Sequence, residues 1–304
     1  MNSNNWNRRE VLAAAGTLGL APICGIAEER IMLSRAIPSS GEKLPVIGLG
    51  TYNVFDVAST PAEIATSKAI VDLLAGEGGS LIDTSPMYKR SEKIIGDVID
   101  AGTDRDVLFL ATKVWIDGSD AGIAQMQRSA DLMRTKVIDL MQVHNLRDTD
   151  VHMKTIKDWQ AQGRIRYSGL THYHAGAFGS LESAMKKHKP DFIQINYSLS
   201  EHEADERLLP LAADSGVAVL INRPYRSGGL FRAVRGHSVP DWANEFAASW
   251  GQFFLKFIIS HPAVTCVIPA TSKPHHMQDN LEAGFGHLPD QSTRQRMIDF
   301  MEAL

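Results

Sequence analysis

The chain has 304 residues, 44% of them hydrophobic and 22% charged, a globular composition with room for one large domain or two small ones. A formal net charge of −4, with no block of like charge and no low-complexity run, provides no basic field and argues against a nucleic-acid partner. The two cysteines, Cys24 and Cys266, sit in different contexts, which argues against a disulfide framework and leaves the redox compartment open.

Residues 1–27 read as a signal peptide. Arg8 and Arg9 precede an Ala/Gly-rich apolar run from Val11 to Ala27, and Gly25 and Ala27 offer a small-x-small cleavage site. The run is too short and too weakly apolar for a good membrane span. The paired arginines resemble a twin-arginine export signal. That implies a periplasmic or exported protein, with the export machinery as a partner. The alternative is a disordered leader on a cytoplasmic protein. Ile23 is bulky where a lipoprotein anchor at Cys24 would want a small residue. The organisation expected is a leader over 1–27 and one domain over 28–304.

The segment 30–43, RIMLSRAIPSSGEK, reads as a hairpin. Eight short apolar runs follow: LPVIGLGT, SLIDT, VLFLATKV, VIDLMQVH, RYSGLT, DFIQINY, VAVLINR and VTCVIPA. Each is rich in Val, Ile, Leu or Phe and bounded by Gly, Pro or polar residues, as strands of a buried parallel sheet are. Helical patterns lie between them. Residues 62–76 carry apolar positions mostly three and four apart, and 148–164 place Val151, Ile156 and Trp159 before the helix stop Gly163. Residues 289–304 read as an extra terminal helix.

Eight such units in about 260 residues predict an α/β fold of the (β/α)8 TIM-barrel class, with an N-terminal hairpin able to plug the bottom and an extra C-terminal helix. A doubly wound open sheet is the rival. Its usual glycine-rich phosphate loop is missing, because GLGTYN lacks the third glycine and no helix starts there.

Barrel chemistry sits at the carboxyl ends of the strands. Asp83 ends the second run, Tyr88 follows in its loop, Lys113 ends the third run and His144 ends the fourth. Singly, these could be a structural ion pair, a packing aromatic and a satisfied core histidine. Four residue types converging on one rim are harder to assign to packing. No metal site is read from the sequence.

At this point the chain resembles the aldo-keto reductase family, from about Arg30 to Asn280. The ordered motifs are DTSPMYKRSEKIIG, the lysine of LATKVW, the histidine of DLMQVHN, RYSGLTHY, the glutamine of FIQINY, and IPATSKPHHMQDN. The resemblance implies an NADPH-preferring reductase of aldehydes or ketones, with Asp83, Tyr88, Lys113 and His144 as a catalytic tetrad. Tyrosine, with an ordinary pKa of about 10, is protonated at neutral pH and can donate to a carbonyl oxygen. Lys113, held by Asp83, would lower that pKa, and His144 would direct a donor at the oxygen.

Further roles follow from the resemblance. Thr51 and Tyr52 would border the nicotinamide ribose, and Thr171, His172 and Gln194 would bind its carboxamide. Arg223 would stack on the nicotinamide ring, and Ser227, Gly228 and Leu230 would lie along the pyrophosphate. Thr271, Ser272, Lys273, His276, Asp279 and Asn280 would surround the adenosine end. Tyr52, Trp115 and His144 would wall the pocket of a small carbonyl substrate.

Three departures stand out. Lys89 replaces the usual glycine after the tyrosine, and His172 replaces the usual asparagine. Ala270 and His276 stand where some members carry a lysine and an arginine for the 2′-phosphate. Lys273 could take over that phosphate, and NADH remains an alternative coenzyme. Short segments after His144 and Asn280 predict an open pocket. Two rival readings keep part of the site: a non-enzymatic nicotinamide-binding sensor or partner subunit, and an unrelated barrel lyase or hydrolase using Lys113 and Asp83.

Overall fold

The computed structural model describes residues 30–304. The leader assigned to 1–27 lies outside the described residues. The described residues begin with an antiparallel hairpin, β1 (Ser34–Ala36) and β2 (Lys43–Pro45). Eight parallel strands follow: β3 (Leu49–Gly50), β4 (Leu81–Asp83), β5 (Phe109–Val114), β6 (Ile138–His144), β7 (Ile165–Thr171), β8 (Phe192–Asn196), β9 (Ala218–Asn222) and β10 (Cys266–Val267). They pair in sequence order, and parallel bridges Ile47–Val267 and Gly50–Ala270 bring the two outer strands together. Gly50 permits this approach, because a Cβ there would lie 2.8 Å from the Ile268 carbonyl oxygen.

Helices separate the strands, α1 (Pro61–Gly76), α2 (Ser91–Asp100), α3 (Ser119–Leu132), α4 (Thr149–Ala161), α5 (Phe178–His188), α6 (Leu208–Asp214), α7 (Gly229–Ala233) and α8 (Trp250–Ile259), and α9 (Pro274–Glu282) follows β10. Helix α1 starts where Thr60 caps it, its side chain accepting from the Glu63 N–H, with Pro61 in the first turn. Helix α4 stops ahead of Gly163, whose φ of +72° an L side chain rarely adopts. The extra helix, α10, spans Gln291–Glu302. Among the described residues no helix is long and apolar enough to cross a membrane.

Strand alternation sorts the side chains into two cores. Ile82, Leu110, Met141, Val143 and Ile193 belong to the layer packed against the helices. Leu81, Phe109, Ala111, Leu140, Tyr167 and Phe192 form a separate cluster with Ile37 and Leu44 from the hairpin, so the hairpin closes that end of the barrel. With a period of two, Asp83 shares a face with Leu81, Lys113 with Ala111, Gln142 and His144 with Leu140, and Gln194 with Phe192. The apolar floor thus sits beneath a polar upper layer drawn from the same strands.

Candidate active site

Register assembles that upper layer. Lys113 lies opposite Gln142, and Thr171 lies between His144 and Gln194. The Lys113 ammonium donates to both Asp83 carboxylate oxygens, at 2.8 and 2.7 Å, and to the Thr84 carbonyl at 2.7 Å. Gln142 donates to the same carboxylate at 3.3 Å. A buried ion pair withstands its desolvation only with such additional partners. Burial pushes the Lys113 ammonium below its ordinary range, and Asp83 acts against this.

Tyr88 stands beside the pair, with the Lys113 nitrogen 5.0 Å from its ring centroid. Its loop is held by Tyr88 N–H to Ser85 carbonyl (2.9 Å) and by the Ser91 hydroxyl to the Tyr88 carbonyl (2.8 Å). Lys89, in place of the family's glycine, keeps a left-handed φ of +55°, and its ammonium meets Asp56 at 2.9 Å. Arg90 meets the same carboxylate, tying this loop to the one after β3. The expectation that Lys113 lowers the Tyr88 pKa is corrected. Burial, and then the charge of Asp83, push the phenol well above its usual range. All three ammonium protons are taken by Asp83 and Thr84, so the lysine charge is largely compensated locally.

His144 meets Tyr88 edge-on at 6.0 Å between ring centroids and Trp115 at 6.5 Å. Tyr52 meets Tyr88 at 5.1 Å. Burial, then Lys113 and His172, push the His144 imidazole down to about 2, so it is neutral at neutral pH. The Arg147 guanidinium lies over Trp115 and pairs with Asp117.

A cleft of about 710 Å³ opens above these groups. It collects Thr51, Tyr52, Asp83, Tyr88, Lys113, Trp115, His144, Thr171, Gln194, Arg223, Ser227 and Gly228. The other expected residues do not line it. His172 is turned aside: its ring stacks on Tyr173 and meets His174, and its Nδ1 accepts from the Tyr173 N–H. Leu230 is buried in the core cluster. Thr271 closes the turn before α9 by accepting from the Lys273 N–H, and Ser272, Lys273 and His276 are exposed. Asp279 accepts from Ser249 and Gln252, and Asn280 accepts from the Tyr225 hydroxyl at 2.5 Å. The expected adenosine-end residues therefore lie along α9 and the turn before it, joined to the cleft lining through Tyr225.

Sequence reading missed Ser85, Gln142, Tyr173, Asn222 and Tyr225. A period-two count would have found Gln142 from His144. Ser85 falls two residues after Asp83, and its Oγ lies 3.1 Å from His144 Nδ1. Asn222 ends β9 directly before Arg223. Tyr225 carried no local signal.

The cleft has the character of a coenzyme site. Gln194 Oε1, Asn222 Oδ1 and Arg223 Nε are buried without a hydrogen-bond partner among the described residues. Such orphaned groups are costly unless a ligand or water meets them. Arg223, Arg226 and Ser227 hold left-handed φ near +50°, strain of a kind that clusters at ligand clamps.

The model of the aldo/keto reductase family matches residues 46–296. Aldo-keto reductase YhdN of Bacillus subtilis (strain 168) is 28% identical over 204 residues, covering 61% of this chain and 60% of that protein. The chain thus spans about three fifths of that relative. Methylglyoxal reductase DkgB of Salmonella typhi is 22% identical, covering 81% of this chain and 89% of that protein. An aldo-keto reductase from Klebsiella pneumoniae, solved in complex with NADPH, superposes with a TM-score of 0.76 at 22% identity, over 89% of this chain and 96% of that one.

Proposed function

This chain belongs to the aldo/keto reductase family, and from that premise we propose that it is an NADPH-dependent oxidoreductase that reduces small aldehydes or ketones, with Tyr88 as proton donor. One observation carries the proposal: Tyr88 shares the cleft with the buried Lys113–Asp83 pair and His144, where burial favours the protonated phenol and the neutral imidazole. When bound, the dihydronicotinamide supplies a hydride. The residues of this chain do the rest. Gln194 and Asn222 offer oxygens to the amide N–H groups of a carboxamide, and Arg223 offers a planar face. Tyr88, held in its protonated form by burial, gives its proton to the carbonyl oxygen, and Lys113 and Asp83 fix the floor of the site beside it. His144, being neutral, offers a single N–H to the same oxygen, and Tyr52 and Trp115 wall the carbonyl's substituent.

Preference for NADPH rests on Lys273, exposed at the start of α9, where an ammonium and a helix N-terminus both favour a phosphate. Export rests on Arg8, Arg9, Gly25 and Ala27 alone. The test is oxidation of NADPH by an activated small aldehyde, which separates an enzyme from a barrel that only holds the coenzyme.

A further inference from the structure

We propose that Ser85 is a positioning residue that sets the tautomer of His144, holding its one proton on Nε2. The proposal rests on the reductase reading for its consequence and on the geometry of two side chains for its content. Ser85 is fully buried. Ser85 lies two residues past Asp83, the last residue of β4, and Pro86 after it disfavours a helical backbone there. Its Oγ then lies 3.1 Å from His144 Nδ1 and accepts from the Met87 N–H at 3.3 Å.

A serine hydroxyl has one proton to donate and two lone pairs. Among the described residues, the acceptor in reach of that proton is His144 Nδ1. If Nδ1 were protonated, both it and Met87 would donate to Oγ, and the proton of the buried Ser85 would have no acceptor among the described residues. A buried donor left that way is unfavourable. With Nδ1 unprotonated, every group is satisfied: Met87 donates to Oγ, Oγ donates to Nδ1, and the imidazole proton sits on Nε2. The cationic form, which would donate from both nitrogens, is suppressed by burial and by Lys113.

The other nitrogen is placed to use that proton. Nε2 has no hydrogen-bond partner among the described residues, and unlike Gln142 Oε1 and Asn145 Oδ1 it is not among the buried orphaned atoms. His144 lines the cleft beside Tyr88. The arrangement therefore makes His144 a fixed donor toward a carbonyl oxygen, where the other tautomer would present a lone pair and repel it. Ser85 does not touch the substrate in this account; it acts through the imidazole.

The test reads the tautomer directly. The full-length chain is labelled with 15N-histidine, with and without NADP+, and its ring nitrogens are correlated with their carbon-bound protons by NMR. The His144 signals are assigned by their loss in His144→Asn. The wild-type ring should show a bare Nδ1 and a protonated Nε2. In Ser85→Ala the Nε2–H population should drop toward a mixture. Turnover of a small aldehyde should fall roughly fivefold, the weight of one neutral hydrogen bond, with the Kd for NADPH unchanged. A wild-type ring protonated on Nδ1 overturns the proposal. So does a Ser85→Ala protein that loses turnover while its His144 tautomer is unmoved, since Ser85 would then be structural. If Ser85→Ala does not fold, the wild-type spectrum alone decides. A chain that reduces no aldehyde contradicts the reductase reading, yet leaves the tautomer measurable on its own.

Discussion

The ammonium of Lys113 meets both carboxylate oxygens of Asp83 where the two side chains are 1% and 3% exposed. Each is the other's main compensation for leaving water. Removing one partner leaves a buried charge unpaired, which typically costs about 3–5 kcal/mol. Asp83→Asn and Lys113→Met should each destabilise by that amount in urea unfolding. The double variant should cost far less than the sum. Strict additivity would show that the pair is not energetically coupled.

The pH profile of carbonyl reduction follows from Tyr88 and His144. The phenol is held above its ordinary range, first by burial and then by Asp83. Its donating form therefore persists past the usual tyrosine value of about 10. The imidazole is held down at about 2 and stays neutral. The rate at saturating coenzyme should be flat from about pH 6 to pH 9, with any alkaline fall above pH 10. A fall between about pH 7 and pH 9 would show instead that Lys113 lowers the phenol in the working complex.

Coenzyme choice is expected to reside in Lys273. Its side chain is exposed beside the first turn of α9, a nine-residue helix starting at Pro274. A charge-assisted hydrogen bond contributes about 1.5–3 kcal/mol, so Lys273→Ala should weaken NADPH roughly tenfold or more. NADH should be nearly unaffected. Fluorescence titration with both coenzymes measures this, and equal losses would make the lysine structural.

The proposal that residues 1–27 are an export leader makes a cellular prediction. Replacing Arg8 and Arg9 with lysine should move the protein from the exported to the cytosolic fraction, since a twin-arginine route reads that pair. Equal fractionation of both forms, or a parent that is cytosolic throughout, contradicts export.

Most of the architecture was legible because strands and helices leave periodic traces. The run SLIDT already encodes a buried strand whose last inward residue is Asp83, and LATKV does the same for Lys113. The hairpin around Gly41 and the terminal helix were likewise visible as surplus segments. The proton affinity of Tyr88 was not legible. It depends on how many of the lysine's donors are taken, which only the folded contacts with Asp83 and Thr84 decide. Nor could local reading show that Asn280 is taken by Tyr225, 55 residues away, or that Asp279 is held by Ser249 and Gln252. His172 follows the motif by position, yet stacking on Tyr173 turns its ring out of the cleft.

Carbonyl reduction by Tyr88→Phe, beside an NADPH titration of the same protein, tests the central claim most directly. The substitution removes one hydroxyl and leaves the ring, its contacts with Tyr52 and His144, and the Lys113–Asp83 pair in place. The wild-type chain should oxidise NADPH with a small activated aldehyde. The variant should bind NADPH with unchanged Kd and lose roughly 10²–10⁴-fold in turnover, the contribution of a positioned general acid. Near-normal turnover by Tyr88→Phe would contradict the account.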